Sequence, residues 1–334
     1  MLRRLAVGVG ALLLAGALCL VPSRPLPLPP TGHAAEPSEP IEAYLKRQLQ
    51  RAAREGVRAG NEERLTRRAA ARAPVVILYV HGFGASRAEG EAVVDALAGE
   101  LGATVYYTRL PGHGGSIDAH AAVRTEEYFA RLEEDFHQVR PLGEKLVLIG
   151  SSTGGLLCSW LAARHPEDVA ALILASPLLA FADPAAALLS RRAGMPIIEA
   201  LLGPIRDASW RTDPEQRKQP GYEDHWLTHQ RFRAMLPLDD LRRVIAVDDT
   251  AAAVRAPLAL LYYYADPRHQ DSVVSVSAMR DYFAKTNGGH PHPLSRQVAI
   301  ADGNHILLSQ YVRTDKKTIL EELRRFLQEA LMRR

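Results

Sequence analysis

LVLIGSSTGGLLCSWLAARHP (residues 146–166) passes from four apolar residues into a pair of serines set between glycines, and then into a run of helical character. The apolar start is what a strand buried on both faces of a parallel sheet requires. Gly150-Ser151-Ser152-Thr153-Gly154 fits the pattern G-x-S-x-G, and only Ser152 stands at its centre. In a strand–turn–helix setting such a serine sits on a strained bend with its hydroxyl exposed, and the glycines keep neighbouring side chains from colliding there. Ser152 is therefore the candidate nucleophile, and Ser151 fills the position before it.

Similar apolar, β-rich runs recur on either side: VVILYV (75–80), TVYYT (104–108), VAALILA (169–175), LALLYYY (258–264) and RQVAIA (296–301). Helical stretches over 88–101, 125–140, 153–164, 274–285 and 314–332 lie between most of them. Strand alternating with helix predicts an α/β domain, a mostly parallel sheet with helices on both faces. One interval breaks the rhythm. Residues 177–256 hold helical fragments such as PAAALLSRRAG and MPIIEALLG and no convincing strand. A structureless loop of that length is uncommon, so this segment reads as a helical cap inserted into a core formed by 74–176 and 257–334. Residues 36–73 are charged and arginine-rich; Ile41, Tyr44, Leu45 and Leu49 have helical spacing, which predicts a surface helix and connector.

A serine hydroxyl is a poor nucleophile until a base accepts its proton, so the reading requires a histidine and a group to orient it. Of 12 histidines, His305 in ADGNHILLS lies just beyond the last expected strand and before the final helix, at the carboxyl edge where Ser152 also projects. For the acid, ADPRHQDSVVS offers Asp266 and Asp271, both after a strand and before a helix. Position alone does not separate them; the apolar restart after Asp271 favours that residue, with Asp266 the alternative. The charge on a tetrahedral intermediate must be met by fixed N–H donors. HGFGAS follows the first clear strand, and the main-chain N–H groups of Phe83 and Thr153 are the expected oxyanion donors. In YEDHWLTHQ, histidines and acids could ligate a metal, but a solvated or packed helix explains them more simply.

The ends of the chain carry other signals. Arg3 and Arg4 precede an apolar run from residue 5 to 21, followed by a proline-rich stretch and small residues at Ala34 and Ala35, which predicts an export signal or an N-terminal membrane anchor within residues 1–35. The rest of the chain would then lie outside the cytoplasm, periplasmic, secreted or anchored, with membrane association through this segment. Removing residues 1–35 takes away Arg3, Arg4 and Arg24 and no acid, so the formal charge falls from +3 to zero. Nucleic acid is not an expected partner of such a domain. Cys158 is the one cysteine beyond this leader, so no internal disulfide can form. With 47% hydrophobic and 24% charged residues the chain has enough apolar material for a large core.

The ordered set HGFG, RLPGHGGS, GSSTGG, DSVVS and NHILL resembles the α/β-hydrolase superfamily, in its monoglyceride lipase, lysophospholipase and carboxylesterase branch. The resemblance covers residue 74 to the C-terminus. It implies a serine hydrolase that cleaves carboxylic esters through an acyl-enzyme, with Ser152 as nucleophile, His305 as general base and then acid, Asp271 as its orienter, no cofactor, no metal, and a cap that selects a small-molecule or lipid-like ester. In that family LPGHG is a structural loop, so His113 is not expected to be catalytic. This chain departs in carrying extra residues between the strand end and DSVV. Apolar cap residues Leu188, Leu189, Ile197, Ile198, Leu201 and Leu202 suggest an acyl ligand, although they would equally pack the cap onto the core. The same triad serves acyltransferases, thioesterases and amidases, and the pocket alone would suit a non-catalytic receptor.

Overall fold

The computed structural model describes residues 21–22, 39–68, 72–208 and 218–332. The expected leader lies, apart from Val21 and Pro22, outside the described residues. Among the described residues no helix is long and apolar enough to cross a membrane.

In chain order the strands are β1 (Arg64–Thr66), β2 (Ala73–Val80), β3 (Thr104–Thr108), β4 (Gly143–Ser151), β5 (Val169–Ala175), β6 (Ile205–Asp207), β7 (His229–Arg231), β8 (Leu258–Asp266), β9 (His269–Gln270) and β10 (Arg296–Ile300). Eight of them form one sheet in the order β1-β3-β2-β4-β5-β8-β10, with β9 paired to β8 off that path. Every contact from β3 to β10 along that order is parallel, as the apolar runs predicted; β1 is an antiparallel edge.

Alternation within the strands divides the core. Val76, Leu78 and Val80 of β2 join one apolar cluster with α4 (Thr125–Val139), α5 (Thr153–Arg164) and α10 (Val276–Gly289). Val75, Ile77 and Tyr79 face the other way, onto α2 (Glu91–Leu101) and α11 (Lys316–Met332). The period-two strand pattern thus requires a helical layer on each side, since neither face can be left wet.

Residues 177–256 contribute α6 (Gly194–Leu202), α7 (Tyr222–His225), α8 (Met235–Ile245) and α9 (Asp248–Ala253). They also contain a feature the sequence reading did not anticipate: β6 and β7 pair as a short antiparallel ribbon. Three-residue strands are too short to display an alternating pattern.

The segment before the sheet differs more from the expected surface connector. Its helix α1 (Ile41–Arg54) buries Ile41, Tyr44, Gln48 and Ala52, and β1 joins the sheet. Polar side chains explain the attachment. Tyr44 Oη donates to Asp135 Oδ1 at 2.5 Å, and Thr108 Oγ1 donates to Asp135 Oδ2 at 2.9 Å. Arg131 Nη1 donates to Gln48 Oε1 at 2.6 Å, and Arg109 Nε lies 3.2 Å from both Glu63 oxygens. The Glu63 and Arg109 side chains are 0% and 2% exposed. Such a network is invisible to a periodicity reading, which scores its members as solvent-facing.

Breaking one partner of a buried pair is most costly when the other charge is left without compensation, but here Arg109 keeps Glu55 at 2.9 Å and Arg131 keeps Asp135. Glu63→Gln is therefore expected to lower the urea unfolding free energy by about 1–3 kcal/mol, the cost of weakened charge-assisted hydrogen bonds. A loss under 1 kcal/mol would mean that the network contributes nothing to the attachment.

Candidate active site

Ser152 occupies the turn between β4 and α5, with φ 50° and ψ −113°. A non-glycine residue rarely adopts a positive φ, and doing so costs about 1–3 kcal/mol unless the surroundings over-determine it. Here they do. The Ser152 N–H donates to Ala175 O at 2.9 Å, and its carbonyl accepts from Leu156 N and Leu178 N, both at 3.0 Å. Glycine is obligatory two positions on: a Cβ on Gly154 would stand 2.0 Å from Val80 O.

His305 follows β10, and Asp271 follows β9. The three side chains meet in one row: His305 Nε2 lies 3.0 Å from Ser152 Oγ, and His305 Nδ1 lies 2.8 Å from Asp271 Oδ2. Asp271 is 3% exposed, and its second oxygen accepts from Val273 N and Val274 N at 2.9 and 3.0 Å. That leaves one carboxylate oxygen for the imidazole. Asp266 is elsewhere. It is exposed, caps its own turn through the N–H groups of Arg268 and His269, and pairs with the His269 ring. The extra residues that separate β8 from DSVV are the β8–β9 hairpin, which carries the chain out and returns it to Asp271.

Phe83 and Thr153 both line a cavity of about 110 Å³ that also includes Ser152 and His305. Thr153 is the first residue of α5, so its N–H is among those a helix leaves without an internal acceptor. The aim of the Phe83 N–H is set one residue earlier. His81 Nε2 can only accept from Leu110 N–H, at 3.1 Å, so the ring proton is on Nδ1, which donates to Gly82 O at 2.8 Å. In a trans peptide the C=O and N–H point in opposite directions. Holding Gly82 O inward therefore turns the Phe83 N–H outward.

Around this turn the rings of Phe83, His113 and His120, the last from the short α3 (Ile117–Ala121), pack on one another at tilted or edge-on angles, and His81 packs on His113; His120 is 4.4 Å from both the Phe83 and His113 centroids. All three histidines are buried. His113 Nδ1 lies 2.8 Å from Pro111 O, in keeping with a structural role for its loop. Ser151, read from sequence as a filler, instead donates its hydroxyl to the buried Glu89 at 2.9 Å. Glu89 also lines the cavity. Nothing in its sequence position marks it out, because an acid ahead of a helix reads as a favourable first-turn charge.

The insertion closes the site from above. Leu227 N–H donates to Gly84 O at 2.7 Å, and Trp226, Gln230, Met235 and Leu238 line the cavity. Arg58 and Asn61, from the segment between α1 and β1, hold this part of the insertion through the carbonyls of Glu223, Asp224 and Trp226 at 2.7–3.0 Å. A larger apolar groove of about 450 Å³ lies within the insertion, lined by Leu188, Leu189, Ile198, Leu201, Leu202 and Phe232. It shares Arg206 and Met235 with the cavity beside Ser152.

His225 and His229 do not gather as metal ligands: His225 Nδ1 lies 2.8 Å from Asn61 Oδ1, and His229 is exposed. Among the described residues the one group of three ligating side chains within 4.8 Å is Glu133, His137 and His165. It sits by the far end of α5 from Ser152, about 18 Å along that helix, and Arg164 already pairs with Glu133.

The sheet topology and this row of side chains define an α/β-hydrolase. A family model described as serine aminopeptidase, S33, matches residues 70–288, and the chain belongs to that family. A stretch of 94 residues is 31% identical to the thermostable monoacylglycerol lipase of Bacillus sp. (strain H-257), covering 28% of this chain and 37% of that relative's length. A structure from a pair of metagenome-derived lipolytic enzymes superposes with a TM-score of 0.63 at 19% identity, over 82% of this chain and 99% of its own. A soluble variant of monoglyceride lipase from Saccharomyces cerevisiae gives 0.58 at 14% identity, over 80% and 91%. At such identities these structures speak for the fold alone.

Burial pushes the pKa of His113 down to about 4 and those of His81 and His120 well below the usual histidine value. Below pH 6.5 the unfolded chain takes up protons that the folded rings refuse, so these groups withdraw stability as pH falls from 6.5 towards 4, roughly 3 kcal/mol for His113 alone. Burial of Asp135 raises its pKa to about 6 and acts in the opposite sense over part of that window. Neither ring nitrogen of His120 has a hydrogen-bond partner among the described residues. His120→Leu should therefore flatten the fall in melting temperature between pH 6.5 and 4; an unchanged slope would show that His120 does not contribute.

Proposed function

We propose that the protein is a serine hydrolase that cleaves carboxylic esters through an acyl-enzyme. The observation that carries this reading is the position of His305, whose two ring nitrogens reach Ser152 Oγ and Asp271 Oδ2 at 3.0 and 2.8 Å. Asp271 keeps the ring proton on Nδ1, so Nε2 is the nitrogen that accepts from Ser152. Ser152 Oγ attacks the acyl carbon while its proton passes to Nε2, and the carbonyl π pair moves onto oxygen. The Phe83 and Thr153 N–H groups meet that charge. As the tetrahedral intermediate collapses, the bond to the alcohol oxygen breaks and Nε2–H protonates the leaving alkoxide. Water then repeats the sequence on the acyl-enzyme and releases the acid.

The substrate we infer is an ester with an apolar acyl chain, such as a monoacylglycerol. Two observations support it: the apolar groove of the insertion adjoins the cavity at Ser152, with Arg206 and Met235 lining both, and the partial sequence relative is a monoacylglycerol lipase. The small cavity would then take the scissile group and the groove the chain.

A fluorophosphonate probe should label the folded wild type and leave Ser152→Ala unlabelled. Asp271→Asn should lose about 10⁴-fold in kcat, the loss seen when such a ring is left in the wrong tautomer, whereas Asp266→Asn should stay within about twofold because the exposed Asp266 does not touch His305. Equal losses in both aspartate variants would remove Asp271 from this role. On nitrophenyl esters from acetate to palmitate, kcat/KM should rise with acyl length to an optimum beyond butyrate, and Leu201→Asp should depress only the long-chain rates. A flat profile would sink the acyl-groove assignment.

A further inference from the structure

Glu89 ends a short 3-10 turn, Arg87–Glu89, and is 2% exposed. A carboxylate so deeply buried is costly unless its oxygens are satisfied. Both are. Oε2 accepts the Gly82 N–H and Oε1 accepts the Ser151 hydroxyl at 2.9 Å. These two partners belong to separate segments: Gly82 lies in the turn after β2, and Ser151 is the last residue of β4. Each stands one or two positions before a proposed oxyanion donor, Phe83 in the first case and Thr153 in the second. The packing leaves no slack, since a Cβ on Gly82 would lie 3.0 Å from Glu89 Oε1 and 3.2 Å from Ser152 Cβ.

We propose that Glu89 is the positioning residue of the oxyanion hole, a single carboxyl that ties the two donor-bearing segments together so that the Phe83 and Thr153 N–H groups converge on one point. This rests on the ester hydrolase reading above. Glu89 acts through the main chain, with His81 holding the far side of the Gly82–Phe83 peptide. A misplaced donor weakens only the bonds to the developing oxyanion, so loss of the tie falls on kcat and spares ground-state binding.

The test compares Glu89→Ala, Glu89→Gln and Ser151→Ala in the full chain, using nitrophenyl butyrate and a trifluoromethyl ketone. With the ketone, Ser152 Oγ bonds to the carbonyl carbon, the π pair moves to oxygen and the proton passes to His305, so its affinity reports on the oxyanion hole. Glu89→Ala should lose roughly 10- to 100-fold in kcat, less than the roughly 10²–10³-fold cost of removing a donor outright, with KM within about threefold and ketone affinity reduced by the same factor as kcat. Glu89→Gln should recover most of the rate, because its amide can accept from Gly82 and donate to Ser151 Oγ. Ser151→Ala, which cuts one tie and leaves Gly82 held, should lose a few-fold and decides the matter if Glu89→Ala does not fold. Unchanged kcat in Glu89→Ala and Ser151→Ala, or a Gln variant no better than Ala, overturns the proposal. Either result leaves the hydrolase reading standing so long as the wild type is labelled at Ser152; an unlabelled wild type fails that reading instead.

Discussion

The backbone at Ser152 is the constraint on which the remainder of the site depends. A residue with φ 50° and ψ −113° would relax if it could, and what prevents it is the parallel sheet. The Ala175 carbonyl at the end of β5 takes the Ser152 N–H, and the chain leaving β5 returns Leu178 N–H to the Ser152 carbonyl. The bend thus stores strain that β5 and the chain leaving it hold in place. The same bend lifts the hydroxyl clear of the sheet and starts α5, so one local distortion supplies both a reachable oxygen and a helix N-terminus beside it.

Most of this frame was legible in the amino-acid sequence because it rests on short-range patterns. Strands buried on both faces must be continuously apolar, and β2, β3, β4, β5 and β8 read that way, whereas β10, at the edge, opens on Arg296 and Gln297 and alternates between buried and exposed residues. Ser152 could be singled out because only glycines fit around such a turn, and the His305 and Asp271 positions followed from strand ends. What escaped the reading depends on long-range polar contact. Glu63, Arg109, Arg131 and Asp135 are charged residues that the sequence places at the surface, and they are buried because they satisfy one another. Glu89 escaped for the same reason, since its partners are 7 and 62 residues away. The β6–β7 ribbon escaped through brevity.

The two cavities differ in what builds them. Beside Ser152 the floor comes from strand ends and the glycine-rich turn, parts that the sheet makes rigid, and the opposite wall from Trp226, Gln230, Met235 and Leu238 of the insertion. The apolar groove belongs to the insertion, whose helices carry Leu201 and Leu202 at 77% and 66% exposure. The Ser152, His305 and Asp271 side chains thus stand on the ends of sheet strands, and the insertion supplies most of the apolar surface around them.

The clasp of Arg58 and Asn61 on the carbonyls of residues 223–226 ties the insertion to a segment outside the family likeness. That likeness spans residues 70–288, yet the piece of chain that pins the insertion over the glycine-rich turn lies upstream of it and His305 lies downstream. Recognisable ancestry and the set of contacts that build this site are therefore not coextensive. A fragment trimmed to the shared region would keep Ser152 and lose both His305 and the fastening that keeps the lid in register with it.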